Sequence, residues 1–592
     1  MFASMLGFLL TVGIALFIVF VSFAALISAS EGEQEPKVES NSILHIEFKK
    51  AIKDRPSNNP LENFDFNTLE DKTPMSLNSI INNIEKAKYD KRIIGIYLDV
   101  ASLKANLATT EEIRKALEDF KTSGKFIVSY SEYYNQAEYY LASVADEIYL
   151  NPAGELDFKG YAATLMFFKD ALNRLEIDMQ VIRHGKFKSA IEPFIRNDMS
   201  EANRKQYEEL LDGIWTDRIQ KIAQARDQSP SKLNQIADSL NIRIAKDAVS
   251  YGLVDKLLFE DEVNKILLEK IEDTESESPT FVTLNTYRKT KRSTKPNEDQ
   301  EIKELWNSKN KIAIIFAEGE IVSGKSKDGA MGSETIANAI KEARKDDKVK
   351  AIVLRVNSPG GSALASDVMW RETQLAKESK PLVVSMGDVA ASGGYYISCG
   401  ADVIYAESST VTGSIGVFGL IPNMSGMLKN KLGIHTDVVG TNTYADGLSP
   451  FRPLTQTERN ALQDKIEFIY DDFTSKVAQG RNMTQAEVDS IGQGRVWNGL
   501  SAKRIGLVDE IGGLDDAIIK AAMLAELKDY KLKELPAQED PFQKMMNELA
   551  NNAKIQLFGD DFGVAEKYYA NMKRVFNSEG IYMRLPVDFV IE

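Results

Sequence analysis

The feature that most constrains this chain is that it repeats itself. Ala145-Asp146-Glu147-Ile148-Tyr149 recurs as Ala401-Asp402-Val403-Ile404-Tyr405, an offset of 256 residues (402 − 146). Tyr139-Tyr140 recurs as Tyr395-Tyr396 and Leu98 as Leu354 at the same offset, and Gly185 recurs as Gly440 at 255. One offset held over so long a span signals duplication of a whole folding unit. We therefore expect two copies of one domain, at about 43–285 and 310–535.

The hydrophobic pattern says what kind of domain this is. Ile43–Phe48, Ile93–Val100, Phe126–Ser129 and Glu147–Leu150 read as strands in the first copy. Ile312–Phe316, Ala351–Val356, Leu382–Ser385 and Val403–Ala406 read as strands in the second. Continuous apolar runs alternating with helical stretches indicate a largely parallel sheet covered by helices, an α/β architecture. Ser276 to Lys309 is polar, charged and Pro-containing, and marks the junction. The expected organisation is an N-terminal segment 1–30, a first domain 31–285, a linker 286–309, a second domain 310–540, and a tail 541–592 with no counterpart in the repeat.

Leu6 to Ile27 is almost wholly apolar, and residues 1–30 carry no side-chain charge. About twenty such residues span a bilayer as a helix. A cleavable signal peptide is the rival reading, since Ser28-Ala29-Ser30 resembles a cleavage site. The apolar stretch exceeds the roughly 7–15 residues of a signal core, and no basic region precedes it, so an anchor is expected. The body of the protein is expected outside the cytoplasm, on weak charge evidence.

Net charge is −15, which disfavours binding to a phosphate backbone, so nucleic acid is not an expected partner. The single cysteine, Cys399, excludes an intrachain disulfide and reads as a small core residue. No Cys/His cluster has zinc-ligand spacing, and no glycine-rich loop carries a P-loop lysine. Only three histidines exist, His45, His184 and His435, so a Ser-His-Asp triad has few candidate bases.

Two loops of the second copy carry chemistry. Asn357-Ser358-Pro359-Gly360-Gly361-Ser362 follows one strand, and its glycines would let backbone N–H groups approach a developing oxyanion. A plain turn is the alternative. Gly387-Asp388-Val389-Ala390-Ala391-Ser392-Gly393-Gly394-Tyr395-Tyr396 follows the next strand, and sets a serine between small residues just before a helix. Gly393 could supply a second N–H, and a loop serine is the alternative. Both loops lie at strand carboxyl ends, where α/β sheets place ligands. A serine nucleophile needs a base, and lysine serves if burial lowers its pKa from about 10.4 toward roughly 7–8. The first copy offers His184-Gly185-Lys186-Phe187-Lys188-Ser189-Ala190-Ile191-Glu192-Pro193, in which Lys188 lies among aromatic and small residues. Composition alone would leave any one lysine at the surface.

Asp388 to Tyr396, Asn357 to Ser362, Thr412-Gly413-Ser414-Ile415-Gly416 and Gly185 to Pro193 together resemble the signal peptide peptidase A (protease IV) family, peptidase family S49, in its long two-domain form. The resemblance runs from the anchor to about residue 535. It implies two tandem ClpP/crotonase-like domains and a Ser–Lys dyad, with Ser392 as nucleophile and Lys188 as base. It implies that Ser414 orients the lysine, and that Gly360 or Gly361, with Gly393, forms the oxyanion hole. No cofactor or metal is implied. The implied substrates are membrane-derived peptides, chiefly signal-peptide remnants. The implied assembly is a bowl-like homotetramer on the periplasmic side of the bacterial inner membrane.

The repeat offers a separate check. Copy 1 has Gln136 where copy 2 has Ser392, and Leu103, Lys104 and Ala105 where copy 2 has Pro359, Gly360 and Gly361. Copy 2 has Thr443 where copy 1 has Lys188. Each half keeps what the other lacks, so one composite site is expected, with its two key residues 204 positions apart (392 − 188). A crotonase-like acyl-CoA enzyme and a non-catalytic membrane scaffold are the competing readings. Cleavage preference, and whether the pair forms within one chain or between chains, are not legible at this level.

Overall fold

The computed structural model describes residues 36–58, 64–65, 70–272, 276–290, 308–327, 329–538 and 582–584, together with Gly7. The expected anchor over 1–30, most of the linker and most of the 541–592 tail therefore lie outside the described residues. Among those described, no helix is long and apolar enough to cross a membrane.

In the first copy the strands needed below are β1 (Ser42–Glu47), β2 (Ile93–Asp99), β3 (Phe126–Tyr134), β4 (Glu147–Leu156), β5 (Asp178–Arg183), β6 (Lys256–Leu257) and β7 (Phe281–Thr283). All but β5 form one sheet in the order β6-β4-β3-β2-β1-β7, with every pair parallel. Its helices include α1 (Leu107–Lys121), α2 (Gln136–Ala142), α3 (Glu201–Ala225) and α4 (Glu260–Lys270).

In the second copy the strands are β8 (Lys311–Glu318), β9 (Glu320–Val322), β10 (Ala330–Gly332), β11 (Val349–Ser358), β12 (Gly360–Ser362), β13 (Leu382–Ala391), β14 (Val403–Ala406), β15 (Val411–Gly413), β16 (Phe418–Asn423), β17 (Val496–Asn498), β18 (Glu510–Ile511) and β19 (Lys531–Leu535). The main sheet runs β17-β15-β13-β11-β8-β19, with β14 bridging β13 and β18. Its helices include α5 (Ser333–Lys345), α6 (Ala363–Lys377), α7 (Gly393–Ser398), α8 (Gln456–Arg481) and α9 (Leu514–Leu524). The duplication is visible element by element: β3–α2 matches β13–α7, the 25-residue α3 matches the 26-residue α8, and α4 matches α9.

The apolar runs are continuous because both sheet faces are covered. Along β8, Ile312, Ile314 and Phe316 pack with Ala517 and Ile518 of α9, whereas Ala313, Ile315 and Ala317 pack on the other side with Ile336 and Ile340 of α5. Alternate side chains of a strand point to opposite faces, so a strand between two helical layers must be apolar at every position. Cys399 is buried in the same core, and burial pushes its thiol up to about 12.

Of the contacts that join the copies among the described residues, two bear on the site. The first is a sheet that both build. β5 of copy 1 pairs antiparallel with β16 of copy 2 over six positions, from Asp178↔Asn423 to Arg183↔Phe418. The second is a buried ionic junction. Arg355 on β11 bonds Asp54 at 2.8 Å and Glu112 at 2.5 Å, both from copy 1. Thr109 of α1 donates its N–H and hydroxyl to Asp388 at 2.9 and 2.7 Å. Removing one member of such a buried network leaves an unpaired charge and costs about 3–5 kcal/mol, so the junction fixes how the halves meet.

Candidate active site

The strand expected to end at Ser385 continues to Ala391, because Val389, Ala390 and Ala391 pair with Val411, Thr412 and Gly413 of β15. Ser392 therefore sits at the tip of β13, immediately before α7. Its backbone is at φ +55, ψ −112, a region unusual for any residue but glycine. Its N–H donates to the Gly413 carbonyl at 2.8 Å, which anchors the strained turn. The side chain is fully buried. Gly393 follows as the first residue of α7, so its N–H has no partner within the helix.

Lys188 reaches this point along the shared sheet. β5 ends at Arg183, His184 N–H donates to the Val417 carbonyl at 3.2 Å, and Phe187 N–H donates to the Gln493 carbonyl at 3.0 Å. The ladder thus carries the chain from one copy onto the other, and delivers Lys188 into the second. Its Nζ lies 2.8 Å from Ser392 Oγ, 3.0 Å from the Ser414 carbonyl oxygen and 3.0 Å from Ser414 Oγ. Both members of the pair come from the same chain.

Lys188 is fully buried, and desolvation holds its amine well below the ordinary lysine range. In the neutral form it has two N–H donors and one lone pair. The Ser414 carbonyl can only accept, so it takes one N–H. Ser414 Oγ lies 3.4 Å from the Gly494 carbonyl, to which its hydroxyl donates, so its oxygen is free to accept the second N–H. The lone pair is then left for the hydroxyl proton of Ser392.

Ser414 is positioned by backbone at φ +51, and its N–H donates to the Arg495 carbonyl at 2.7 Å. Opposite it, Gly494 has φ +87, and a Cβ there would sit 2.6 Å from Lys188 Cβ and 2.6 Å from Lys188 N. Gly416 also makes room, because its Cβ would meet Lys188 Cδ at 3.3 Å. Gln493 and Gly494 were not among the residues picked out from sequence. Their only local signal is the Gly492-Gln493-Gly494 turn before β17.

The glycine turn forms β12 rather than a simple loop. Gly360 (φ +96) and Gly361 (φ +157) both have conformations or neighbours that exclude a side chain, and a Gly360 Cβ would sit 2.7 Å from the Gly393 nitrogen. Gly360, Gly361, Gly393, Ser414, Lys188 and Ser392 therefore converge. Gly360 N–H also donates to Ser358 Oγ at 3.2 Å. Copy 1 keeps no such arrangement: Gln136, in place of Ser392, bonds the Gly160 N–H at 2.6 Å and the Gly160 carbonyl at 2.7 Å.

The other reactive groups are engaged elsewhere. His184 lies 2.6 Å from Glu467 and stacks on Tyr470. Among the described residues, one group has metal-ligand types within 4.8 Å, His45, Glu47 and Asp99, at the carboxyl ends of β1 and β2. There the Lys49 ammonium, 3.0 Å from Glu47, already supplies positive charge.

The sequence profile of peptidase family S49 matches residues 119–272 and 374–528, two segments that begin 255 residues apart (374 − 119). Protease 4 of Salmonella typhi is 37% identical over 556 residues, covering 92% of this chain and 88% of that protein. Protease 4 of Haemophilus influenzae is 37% identical over 454 residues, covering 75% and 72%. The chloroplastic serine protease SPPA of Arabidopsis thaliana is 34% identical over 463 residues, covering 76% and 66%. The duplicated α/β fold and these matches agree: the chain belongs to peptidase family S49 and is a serine-type protease.

Proposed function

We propose that this protease cuts peptides with a Ser392–Lys188 dyad assembled once per chain from its two copies. The observation that carries the reading is the 2.8 Å contact between a fully buried lysine amine and a buried serine hydroxyl held in strained backbone. Neutral Lys188 accepts the Ser392 proton as Oγ attacks the scissile carbonyl. The N–H of Gly393, with that of Gly361 or, once it leaves Ser358 Oγ, of Gly360, stabilises the oxyanion. Lys188 then protonates the leaving amine, and water, deprotonated by the same amine, releases the acyl group. Ser414 acts as the positioning residue for the lysine. The two domains have the ClpP/crotonase-like fold, with boundaries at about 31–285 and 310–540.

The test is labelling by a serine-reactive phosphonate across pH. Incorporation is expected at Ser392 alone, rising with pH along a single limb set by a lysine amine of lowered pKa, and unchanged in His184→Ala. A limb centred near 6.5 that disappears in His184→Ala would move the base assignment to the histidine.

In this reading an apolar helix at 1–30 anchors the chain in the bacterial inner membrane with its domains on the periplasmic side. Its substrates are membrane-derived peptides such as cleaved signal peptides. Two unpaired segments support assembly into a homotetramer. At the offset of 255 that relates Gly185 to Gly440, β16 (418–423) corresponds to 163–168, and β5 (178–183) corresponds to 433–438. Within the chain β5 pairs with β16, whereas 163–168 and 433–438 belong to no strand, and 433–438 is exposed throughout. The equivalent ladder between neighbouring chains would join them head to tail in a closed ring. Light scattering that returned a monomer mass for the full chain in detergent would remove the ring.

A further inference from the structure

The two sources of oxyanion donors belong to different sheets. Gly393 opens α7 at the end of β13, in the main sheet of copy 2. Gly360 and Gly361 lie in β12, in the sheet that both copies build, between β9 and a short strand, β20 (Tyr582–Arg584). Glycine takes many backbone conformations freely, and neither Gly360 nor Gly361 has a side chain to hold it. The spacing between the two donors is therefore set from outside them.

Ser358, the last residue of β11, stands between those sheets and is fully buried. Its Oγ lies 2.7 Å from the Gly319 carbonyl oxygen and 3.2 Å from the Gly360 nitrogen. A hydroxyl has one hydrogen and two lone pairs. The carbonyl can only accept, so the hydroxyl donates to Gly319 and accepts the Gly360 N–H. Gly319 is itself tied back, because its N–H donates to the Asn357 carbonyl at 3.0 Å. On the other side, a Cβ at Gly394 would lie 2.7 Å from the Ser358 carbonyl oxygen and 3.3 Å from Ser358 Cβ, so the first turn of α7 rests on Ser358. One buried residue thus bonds the strand of one donor and backs the helix of the other.

We propose that Ser358 is a positioning residue of the oxyanion hole. Its hydroxyl bridge from Gly319 to Gly360 holds the glycine strand at the distance from Gly393 at which both elements reach one oxyanion. The inference rests on the dyad reading above and names what sets the geometry of its charge-stabilising half. Ser358 acts through Gly360 and leaves the base alone, since the Lys188 amine bonds Ser392 and Ser414. A loosened glycine strand still meets the ground state of a peptide, but it stabilises the tetrahedral oxyanion less.

Ser358→Ala in the full chain tests this, read on a denatured protein substrate and with a peptide aldehyde, which forms a tetrahedral adduct on a serine. It is expected to lower kcat by about 10–10²-fold, with KM changed by less than about twofold. Aldehyde affinity should weaken by the same factor as kcat/KM. The pH limb of phosphonate labelling should stay where it is in the wild type, because the lysine is untouched. The matched control is Ser129→Ala, which removes a buried hydroxyl bonded to the Leu98 carbonyl at 3.0 Å in copy 1 and should leave kcat and aldehyde affinity unchanged. Ser358→Cys is close in size but weaker as donor and acceptor. It should lose kcat/KM and aldehyde affinity together by a smaller factor, and it carries the test if the alanine variant does not fold. Unchanged kcat and aldehyde affinity in the Ser358 variants, or a loss confined to Tm or KM, would overturn the inference, while wild-type labelling at Ser392 keeps the dyad reading standing. A wild type that is not labelled at Ser392 would overturn the dyad reading, and this inference with it.

Discussion

Lys188→Ala is expected to lower kcat/KM on a denatured protein substrate by about 10³–10⁴-fold, and Ser392→Ala by about 10⁴–10⁶-fold. The two groups act as a unit, so the double variant should be little worse than the serine variant alone. The lysine variant separates chemistry from folding. Desolvation is the cause that lowers this amine, and no carboxylate contributes to holding it charged. Folding therefore strips a proton from Lys188 at any pH between its lowered folded value and the ordinary 10.5. The unfolded chain binds more protons over that window, so this group's contribution to stability rises with pH there and is smallest below the folded value. Lys188→Met removes the penalty while filling similar space. Its Tm near neutral pH should be unchanged or higher, by up to roughly 2–4 °C, although the enzyme is inactive. Appreciable turnover by either single variant would end the dyad proposal. A large fall in Tm for Lys188→Met would show that the lysine is held charged.

Gly494→Ala is expected to lower kcat by about 10²-fold with little change in KM, because it displaces the base rather than the substrate. At φ +87 the new residue is strained, and its Cβ would lie 2.6 Å from the Lys188 backbone nitrogen and 2.6 Å from Lys188 Cβ. Neither atom can swing aside as the far end of a side chain could, so the 186–190 segment must shift and carry the amine away from Ser392. The matched control is Gly124→Ala, which has φ +79 and open space around it. That variant incurs backbone strain alone, about 1–2 kcal/mol of stability, and should keep full kcat. Equal activity of the two glycine variants would mean that the wall at 494 does not position Lys188.

These two sites differ in how they were read. Ser392, Gly393, Gly360 and Gly361 lie in short motifs whose meaning is local. A serine and glycines at the carboxyl ends of adjacent strands can be picked out from spacing alone. Ser414 and Lys188 came from family resemblance, supported for Lys188 by the complementary gaps in the repeat. Gly494 was not picked out, because what makes it matter is a backbone 306 residues earlier (494 − 188) pressed against it. The strand Tyr582–Arg584 had no counterpart in the repeat and offered no pattern to compare.

The sequence by itself determined the duplicated α/β architecture, where the central strands of each copy begin and the residue types available at the tip of β13. Periodicity and turn residues act through neighbours a few positions apart, and every window of the chain contains them. Only the tertiary structure decided that Lys188 is fully buried and lies beside Ser392 within one chain. Burial and the β5–β16 ladder belong to no single segment. They arise when backbone groups more than 230 residues apart satisfy one another's hydrogen bonds and close water out of the space between them.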